Sequence, residues 1–268
     1  IGMHIDWPRM APLRAWWVED SAQQQLESRD RALKQIQEAF DDARAYWKAK
    51  QAEASSPAGG AVAFDARWEA MIPVLEGTLP VIIAADEIRQ IQVAVAFAQR
   101  EGIKLIILGG YDAPLCAELL KEHNVPVIVH GVNRLPQNRS DDYDTAFTLP
   151  ERLRQAGVPF CISGNDRTAN VRNLPYHAAA AAAHGLPKEE ALKAVTIYPA
   201  QIFGVADRLG SLESGKDATL IVTSGDPLEI TTQIEAAFIE GRRVQLTNRQ
   251  QRLWEKYREK YRRQGLVD

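Results

Sequence analysis

Residues 172–227 read RNLPYHAAAAAAHGLPKEEALKAVTIYPAQIFGVADRLGSLESGKDATLIVTSGDP and carry most of the structural information in the chain. Asn173 is suited to cap a first helix, and Gly185 supplies the residue beyond the end of that helix. A second helix is expected to begin near Pro187. Further on, glycines and a Gly-Asp-Pro turn separate short β-branched runs, of which residues 218–223 are the clearest strand. The segment therefore predicts a helix pair, a short link and a small β unit.

Part of this segment resembles a known family. Residues 186–229 contain T-x-x-P-A-x-x-x-G at 196–204 and G-S-L-E-x-G-K-D-A-x-L-x-V at 210–222. These motifs resemble the C-terminal signature of the amidohydrolase superfamily, especially of its imidazolonepropionase-like members, and a fainter resemblance extends back to about Leu75. The resemblance implies a barrel beside a small β-sandwich, and metal-dependent hydrolysis of C–N and related bonds.

A repeating βα pattern precedes the signature. Short apolar, β-branched runs are each followed by a segment that suits a helix, and they lie at residues 80–84, 105–108, 125–129 and 159–163. Their apolarity is continuous rather than alternating, which is typical of parallel strands buried on both faces. Four βα units fit the second half of a (β/α)8 barrel. We therefore predict an α/β fold: the second half of a TIM-type barrel, part of a small β-sandwich and flanking helices.

The chain divides into four predicted parts. Residues 1–60 form an N-terminal helical or docking segment and linker, residues 61–203 the half-barrel with βα units 5 to 8, residues 204–246 the sandwich part, and residues 247–268 a C-terminal helix. Residues 1–12 are left open as either a strand or a docking segment. The C-terminal helix has a basic end, but its interleaved glutamates favour docking over binding of nucleic acid.

Composition excludes several classes of partner. The 268 residues are 46% hydrophobic and carry a formal net charge of -3. This balance gives no electrostatic case for nucleic acid or an anionic membrane, and no apolar run reaches the roughly 18 residues of a membrane span. Cys116 and Cys161 lie in apolar surroundings and are expected to be buried thiols. The compartment stays undetermined.

The first half of the barrel is missing from these residues. The resemblance implies a metal-binding His-x-His pair on the first barrel strand, whereas the first hundred residues contain a single histidine, His4. The chain also opens at Ile1 without a methionine or a signal peptide, so we expect translation to start elsewhere. We hypothesise that another polypeptide, either cleaved from the same precursor or separately encoded, supplies the missing barrel and sandwich strands. A homo-oligomer of that assembly is left open.

The metal ligands that the resemblance implies are also depleted. It places a histidine after the fifth strand, another after the sixth and an aspartate after the eighth, and these ligate one or two metal ions. Here Ala84 and Gly109 stand at the first two positions, and either Asn165 or Asp166 stands at the third. One carboxylate binds a divalent ion weakly, because stable sites converge several ligands. No cofactor is therefore expected from this chain alone. Asp166 and Asn165 are its candidate catalytic residues, and Asp166 is its possible weak metal ligand.

Three further residues lie near predicted strand ends. His130 closes the seventh strand and is either a substrate-binding or substitute-ligand histidine, or a hydrogen-bonded residue of the strand end. Arg134 lies in the polar loop after that strand, where it is either a contact for an anionic substrate or a solvated charge. Asp86 is interpreted as an N-cap for a helix that starts at Glu87 rather than as a catalytic acid.

Two functions remain open at this point. In the first, the assembled protein is a non-catalytic or weakly active amidohydrolase relative that has lost its metal ligands. In the second, it hydrolyses C–N bonds, with zinc or a similar ion held by histidines of the partner chain and by Asp166. The residues at positions 84 and 109 favour the first function.

Overall fold

The computed structural model describes residues 1–55, 62–164 and 168–266. In chain order, its elements are β1 (Met3–Ile5), α1 (Ala22–Ser55), α2 (Ala66–Leu75), β2 (Val81–Ala85), α3 (Ile88–Glu101), β3 (Leu105–Gly109), α4 (Ala117–Glu122), β4 (Val127–His130), α5 (Thr145–Ala156), β5 (Phe160–Ser163), α6 (Leu174–Ala183), α7 (Lys188–Lys193), α8 (Ile197–Ile202), β6 (Leu220–Thr223), β7 (Ile234–Ile239), β8 (Arg242–Val244) and α9 (Arg249–Arg263). Short 3-10 helices lie at Ala113–Cys116 and Thr168–Asn173.

The main sheet is parallel, with strands in the order β1-β2-β3-β4-β5. One row of partners runs across it through Ile5, Ile83, Ile107, Val127 and Phe160. Helices connect β2 to β5, as parallel strands require. The predicted half-barrel of α/β class is thereby confirmed, together with its four apolar strands. For residues 1–12, a strand and a docking segment were both possible. Met3–Ile5 forms a strand beside β2.

Each strand of β2 to β5 has two apolar faces. The outer face, which includes Ile83 and Ile107, joins the main core beneath the helices. In that core Phe40 of α1 and Phe97 of α3 meet edge to face, with ring centroids 5.3 Å apart. The inner face carries Ile82, Ile106, Ile128 and Cys161, which the α8 segment covers with Tyr198, Ile202 and Phe203. Burial on both faces explains why these strands read as continuous apolar runs.

The β5 edge of the sheet is partly covered by the chain itself. The backbone N–H of Ile162 donates to the carbonyl oxygen of Ala194 at 2.9 Å, just beyond the end of α7. This bond satisfies a donor that an open parallel edge would expose. Cys161, one residue earlier, is buried, as is Cys116, and both are free thiols, as predicted.

A second, antiparallel sheet has the order β6-β7-β8. A hairpin joins β7 to β8 through Glu240 and Gly241, both with positive φ. Every residue in the three strands is exposed or half-buried. The loop between β6 and β7 contacts the half-barrel through a salt bridge from Lys188 to Asp226 at 2.5 Å and through the buried side chain of Leu228.

The helices in the described part of the chain do not combine the length and apolar content that a membrane crossing requires.

Candidate functional site

A polar cluster lies at the carboxyl ends of β2 and β3, where barrel enzymes carry their chemistry. At its centre is Asp86, directly after β2. One carboxylate oxygen, Oδ1, accepts from the backbone N–H of Tyr111 at 3.1 Å and from Nη2 of Arg134 at 3.4 Å. The other, Oδ2, accepts from Nη1 of Arg134 at 3.3 Å and from Nε2 of Gln137 at 2.9 Å. Both oxygens are thus engaged by donors from this chain.

Arg134 joins the cluster through charge and through stacking. Its guanidinium lies over the ring of Tyr111, 5.1 Å from the centroid, while it pairs with Asp86. The side chains of Arg134 and Asp86 are 21% and 32% exposed, so water screens the pair only in part. Arg134 is therefore not the solvated loop charge that was one reading of the sequence. Because the two opposite charges face each other, neither offers a full charge to a ligand.

The prediction that Asp86 caps a helix is wrong. The start of α3 is satisfied by other groups: Gln90 Oε1 accepts from the N–H groups of Asp86 and Glu87, each at 3.3 Å, and Asp112 Oδ2 accepts from Ile88 N at 3.0 Å. Burial raises the pKa of the Asp112 carboxyl. The Asp86 side chain is instead held by the charge and donors of the loop after β4, which outcompete the local cap.

The same loop is fixed from its far side by Tyr111. The Tyr111 hydroxyl donates to Asp141 Oδ2 at 2.9 Å and accepts from Gln137 N at 3.3 Å. Asp141 also accepts from Asn138 N at 2.8 Å, and this bond is the main cause that lowers the pKa of its carboxyl. Burial raises the pKa of the Tyr111 hydroxyl. The loop residues that approach Asp86 are therefore held in place on both sides.

The two positions expected to lack metal ligands occupy different faces of the sheet. Ala84 lies on the inner face and is exposed, and its register partner there is Leu108. Gly109 belongs to the buried outer row, in register with Ala85. Alternation along the strand thus puts Leu108 rather than Gly109 beside Ala84. None of these side chains can ligate a metal.

Gly109 has a steric role in the cluster. Its φ is +103°, and a Cβ atom built on it would lie 2.6 Å from Asp86 Oδ1. Only a residue without Cβ allows the carboxylate to approach this closely. This role could not be predicted, because the contact joins the ends of two different strands.

Two histidines lie near the end of β4. His130 is the last residue of the strand, in register with Ser163 at the end of β5. His177 of α6 is buried, and its Nδ1 accepts from the backbone N–H of Val132 at 3.3 Å. Burial, and secondarily the nearby His130, lowers the pKa of His177. His177 therefore positions the chain that leaves β4.

The described strand ends do not fit the divalent ion that the family resemblance implies. Within the described ranges, no three side chains among His, Cys, Asp and Glu converge in a way that could hold a metal. Ala84 and Leu108 offer no ligand atom, and Asp86 is engaged by Arg134 and Gln137. The remaining predicted site residues, Asn165 and Asp166, lie outside the described residues.

A model of the amidohydrolase family matches residues 101–245, which is more than half of the chain. The chain therefore belongs to the amidohydrolase family, and the resemblance seen in its C-terminal motifs is confirmed.

Individual relatives agree with this assignment. Over 87 residues the chain is 33% identical to amidohydrolase tasK of Hapsidospora irregularis, in a match that covers 32% of this chain and 9% of that protein. Over 89 residues it is 36% identical to the imidazolonepropionase of Thermoplasma acidophilum, with 30% and 22% covered.

A solved structure extends the likeness beyond the signature. The amidohydrolase from Thermotoga maritima matches with a TM-score of 0.72 at 27% identity, over 82% of this chain. The match covers 57% of the Thermotoga maritima chain. This chain thus spans a little over half of that structure, and a much smaller share of the two sequence relatives.

Proposed function

We propose that this chain completes an amidohydrolase-type barrel with an eroded metal site, so that the assembled protein is non-catalytic or only weakly active and serves in binding or structure. The observation that carries the proposal is the engagement of Asp86. Its carboxylate lies at a strand end, where the chemistry of barrel enzymes is found, yet donors from Tyr111, Arg134 and Gln137 occupy both of its oxygens.

The energetics of the cluster support this proposal. A divalent ion in a protein needs several convergent ligands, and a catalytic zinc site has three. For Asp86 to bind such an ion, it would have to release Arg134, leaving a partly buried guanidinium without its carboxylate. Separating a partly buried ion pair costs about 1 to 3 kcal/mol, which a single carboxylate ligand does not recover easily.

The assembly is the second part of the proposal. Ala84 is exposed on the inner face, and all three strands of the small sheet are exposed or half-buried. An apolar sheet in this condition needs a partner surface. We infer that N-terminal barrel strands and further sandwich strands cover these surfaces; where they are not joined to this chain, a cleaved partner or a separate subunit would supply them. The part of the Thermotoga maritima structure that this chain does not match is large enough for that role.

A second function is the alternative to be excluded. In it, the assembled protein hydrolyses a C–N bond, with an ion held by partner histidines and by Asp166. The names of the relatives, an amidohydrolase and an imidazolonepropionase, favour this class of reaction.

Elemental analysis of the purified assembly separates the two functions. We expect far less than one zinc or similar ion per barrel, both as isolated and after incubation with zinc and desalting. A stoichiometric ion that disappears in an Asp166→Ala variant, but persists in the matched Asp86→Ala variant, would establish the hydrolase and overturn the proposal.

The assembly is tested separately by native mass spectrometry. A companion carrying the N-terminal barrel strands is expected to travel with this chain. If the chain by itself is a monomer that unfolds cooperatively with high stability, the inferred partner does not exist.

A further inference from the structure

A large cavity lies at the amino ends of the parallel strands, at the opposite end of the sheet from Asp86. Its volume is about 910 Å³. One wall is formed by the residues that lead into β3, β4 and β5, and the facing wall by α8 and the residues that follow it. Cavities that bind small molecules have volumes of about 300 to 1,000 Å³. The cavity therefore has the size of a small-molecule site, and both of these walls belong to this chain.

One part of the cavity is apolar and aromatic. Ile106 of the inner sheet face lies there, and Tyr198, Ile202 and Phe203 of the α8 segment pack against the same apolar cluster. The rings of Phe160 and Tyr198 meet edge to face, with centroids 5.9 Å apart. Removing apolar ligand surface from water at such a wall is favourable. This part of the cavity suits the apolar body of a ligand.

The charged side chains of the cavity leave one cation without a partner. Two basic residues, Lys104 and Arg154, and one acidic residue, Glu190, lie in its walls. Arg154 pairs with Glu151 at 2.7 Å, and Glu190 pairs with Lys193 at 3.0 Å. Lys104, directly before β3, is exposed and forms no ion pair with the described residues. The cavity therefore opens to solvent beside a free ammonium group, which favours a ligand with a negative charge.

Neutral polar side chains line the same cavity. Gln99, His123 and Asn124 are among them, and within the described ranges their side chains make no hydrogen bond. An ammonium and amide N–H groups are donors that a carboxylate accepts. One free cation matches one negative charge, whereas bound phosphates are usually held by several cations or by a helix N-terminus. The lining thus fits a carboxylate better than a phosphate.

We propose that this cavity binds a small organic monocarboxylate with an aromatic or branched apolar body. Lys104 holds the carboxylate, and the apolar body packs against Ile106 and Phe203. The inference goes beyond the function proposed above, because it concerns the end of the sheet away from the Asp86 cluster. It does not depend on whether an ion is held at that cluster.

Calorimetric titration with three matched probes tests the charge preference, on the purified protein in the assembled form in which it is isolated. Phenylpropionate, phenylpropionamide and phenylpropylamine share one apolar body and differ in the charge of the head group. The carboxylate should bind about 10-fold or more tightly than the amide, as expected for one charge-assisted hydrogen bond, and the amine should bind most weakly. Equal affinities for the three probes, or no binding of the carboxylate up to about 10 mM, would overturn the proposal.

A lysine substitution tests the assignment of the charge. Lys104→Met should weaken binding of phenylpropionate by about 10-fold and leave the affinity for phenylpropionamide unchanged. Lys48→Met is the matched control, because Lys48 is also exposed and forms no ion pair with the described residues, but lies on α1 outside the cavity. No loss in Lys104→Met, or an equal loss in both variants, would contradict the proposal. The melting temperature without ligand checks that each variant is folded.

Methyl NMR of the same protein locates the probe. Phenylpropionate should shift the methyl signals of Ile106 and Ile202, which line the cavity, and leave those of Ile91 in place, since Ile91 is buried outside it. Shifts confined to other methyl groups would place the probe elsewhere and overturn the proposal. Unchanged signals of Ile106 and Ile202 in an assembly with a companion chain would mean that partner strands fill the cavity, and would overturn it equally. Neither result alters the metal analysis or the search for a companion described above.

Discussion

Replacing Gly109 by alanine should destabilise the protein by about 3 to 4 kcal/mol. Two effects add. A non-glycine residue at a φ of +103° is strained, which costs about 1 to 2 kcal/mol. The new Cβ would also lie 2.6 Å from Asp86 Oδ1, so the carboxylate must move away from Arg134 and Tyr111. Losing these charge-assisted hydrogen bonds costs about 2 kcal/mol after allowance for partial exposure.

Urea unfolding of matched variants measures the two effects separately. Gly102→Ala is the control for backbone strain, because Gly102 has a φ of +67° and its Cβ would meet nothing within 4 Å. It should cost only about 1 to 2 kcal/mol. In an Asp86→Ala background, Gly109→Ala should fall to a similar cost, since the clashing carboxylate is gone.

Equal losses for Gly109→Ala and Gly102→Ala would refute the steric argument. So would a full additive loss in the double variant with Asp86→Ala, because the contact then contributes nothing. Either result would mean that Asp86 does not lie against the end of β3, and the proposal of an engaged carboxylate would lose its support.

Three further predictions concern buried groups outside the Asp86 cluster. Burial keeps the pKa of His177 below its ordinary 6.5, so near and below that pH the unfolded chain binds more protons than the folded one. The free energy of unfolding should therefore fall as the pH drops below about 6.5. In a plot of the urea midpoint against pH, His177→Gln should flatten this decline. Arg44→Met should lower the free energy of unfolding by about 2 kcal/mol, because Arg44 Nη2 lies 2.6 Å from Oε2 of the buried Glu101. Arg100→Met should cost less in the same assay, because Arg100 Nε lies 3.2 Å from Glu101 Oε1 and the Arg100 side chain is more exposed. Burial raises the pKa of Cys161 to about 12, so iodoacetamide should label it only after unfolding, and labelling of the native protein at the rate of a free thiol would contradict the covered inner face.

Much of the fold could be predicted because its signals are local. The apolar runs that become β2 to β5 are continuous, and this pattern is typical of strands buried between helices and a second apolar layer. The turn at Glu240 and Gly241 and the helix over residues 249–263 also follow from short-range patterns. The strand Met3–Ile5 could only be left open, because three residues carry little pattern and their partner β2 begins at Val81.

The site was less predictable, since its contacts join distant segments. Asp86 stands in front of a helix, and the local rule predicts a cap. Arg134 is 48 residues away, and its charge outweighs that rule. The strand register has the same limitation: a shift of one residue moves a side chain to the other face, so Gly109 was assigned to a position that Leu108 occupies.

The hydrogen bonds of Asp86 and the exposure of the small sheet both concern how the protein is stabilised. A metal site that has lost two of its ligands no longer holds an ion, and any carboxylate remaining in it has no partner. A buried or half-buried charge without a partner is costly. Asp86 has instead a guanidinium, an amide and a backbone N–H, and Gly109 makes room for it. Such a cluster stabilises the mouth of the half-barrel without an ion. The cluster therefore needs no ion for its own stability, and the partner proposed above would have most to add at the exposed small sheet and at α9.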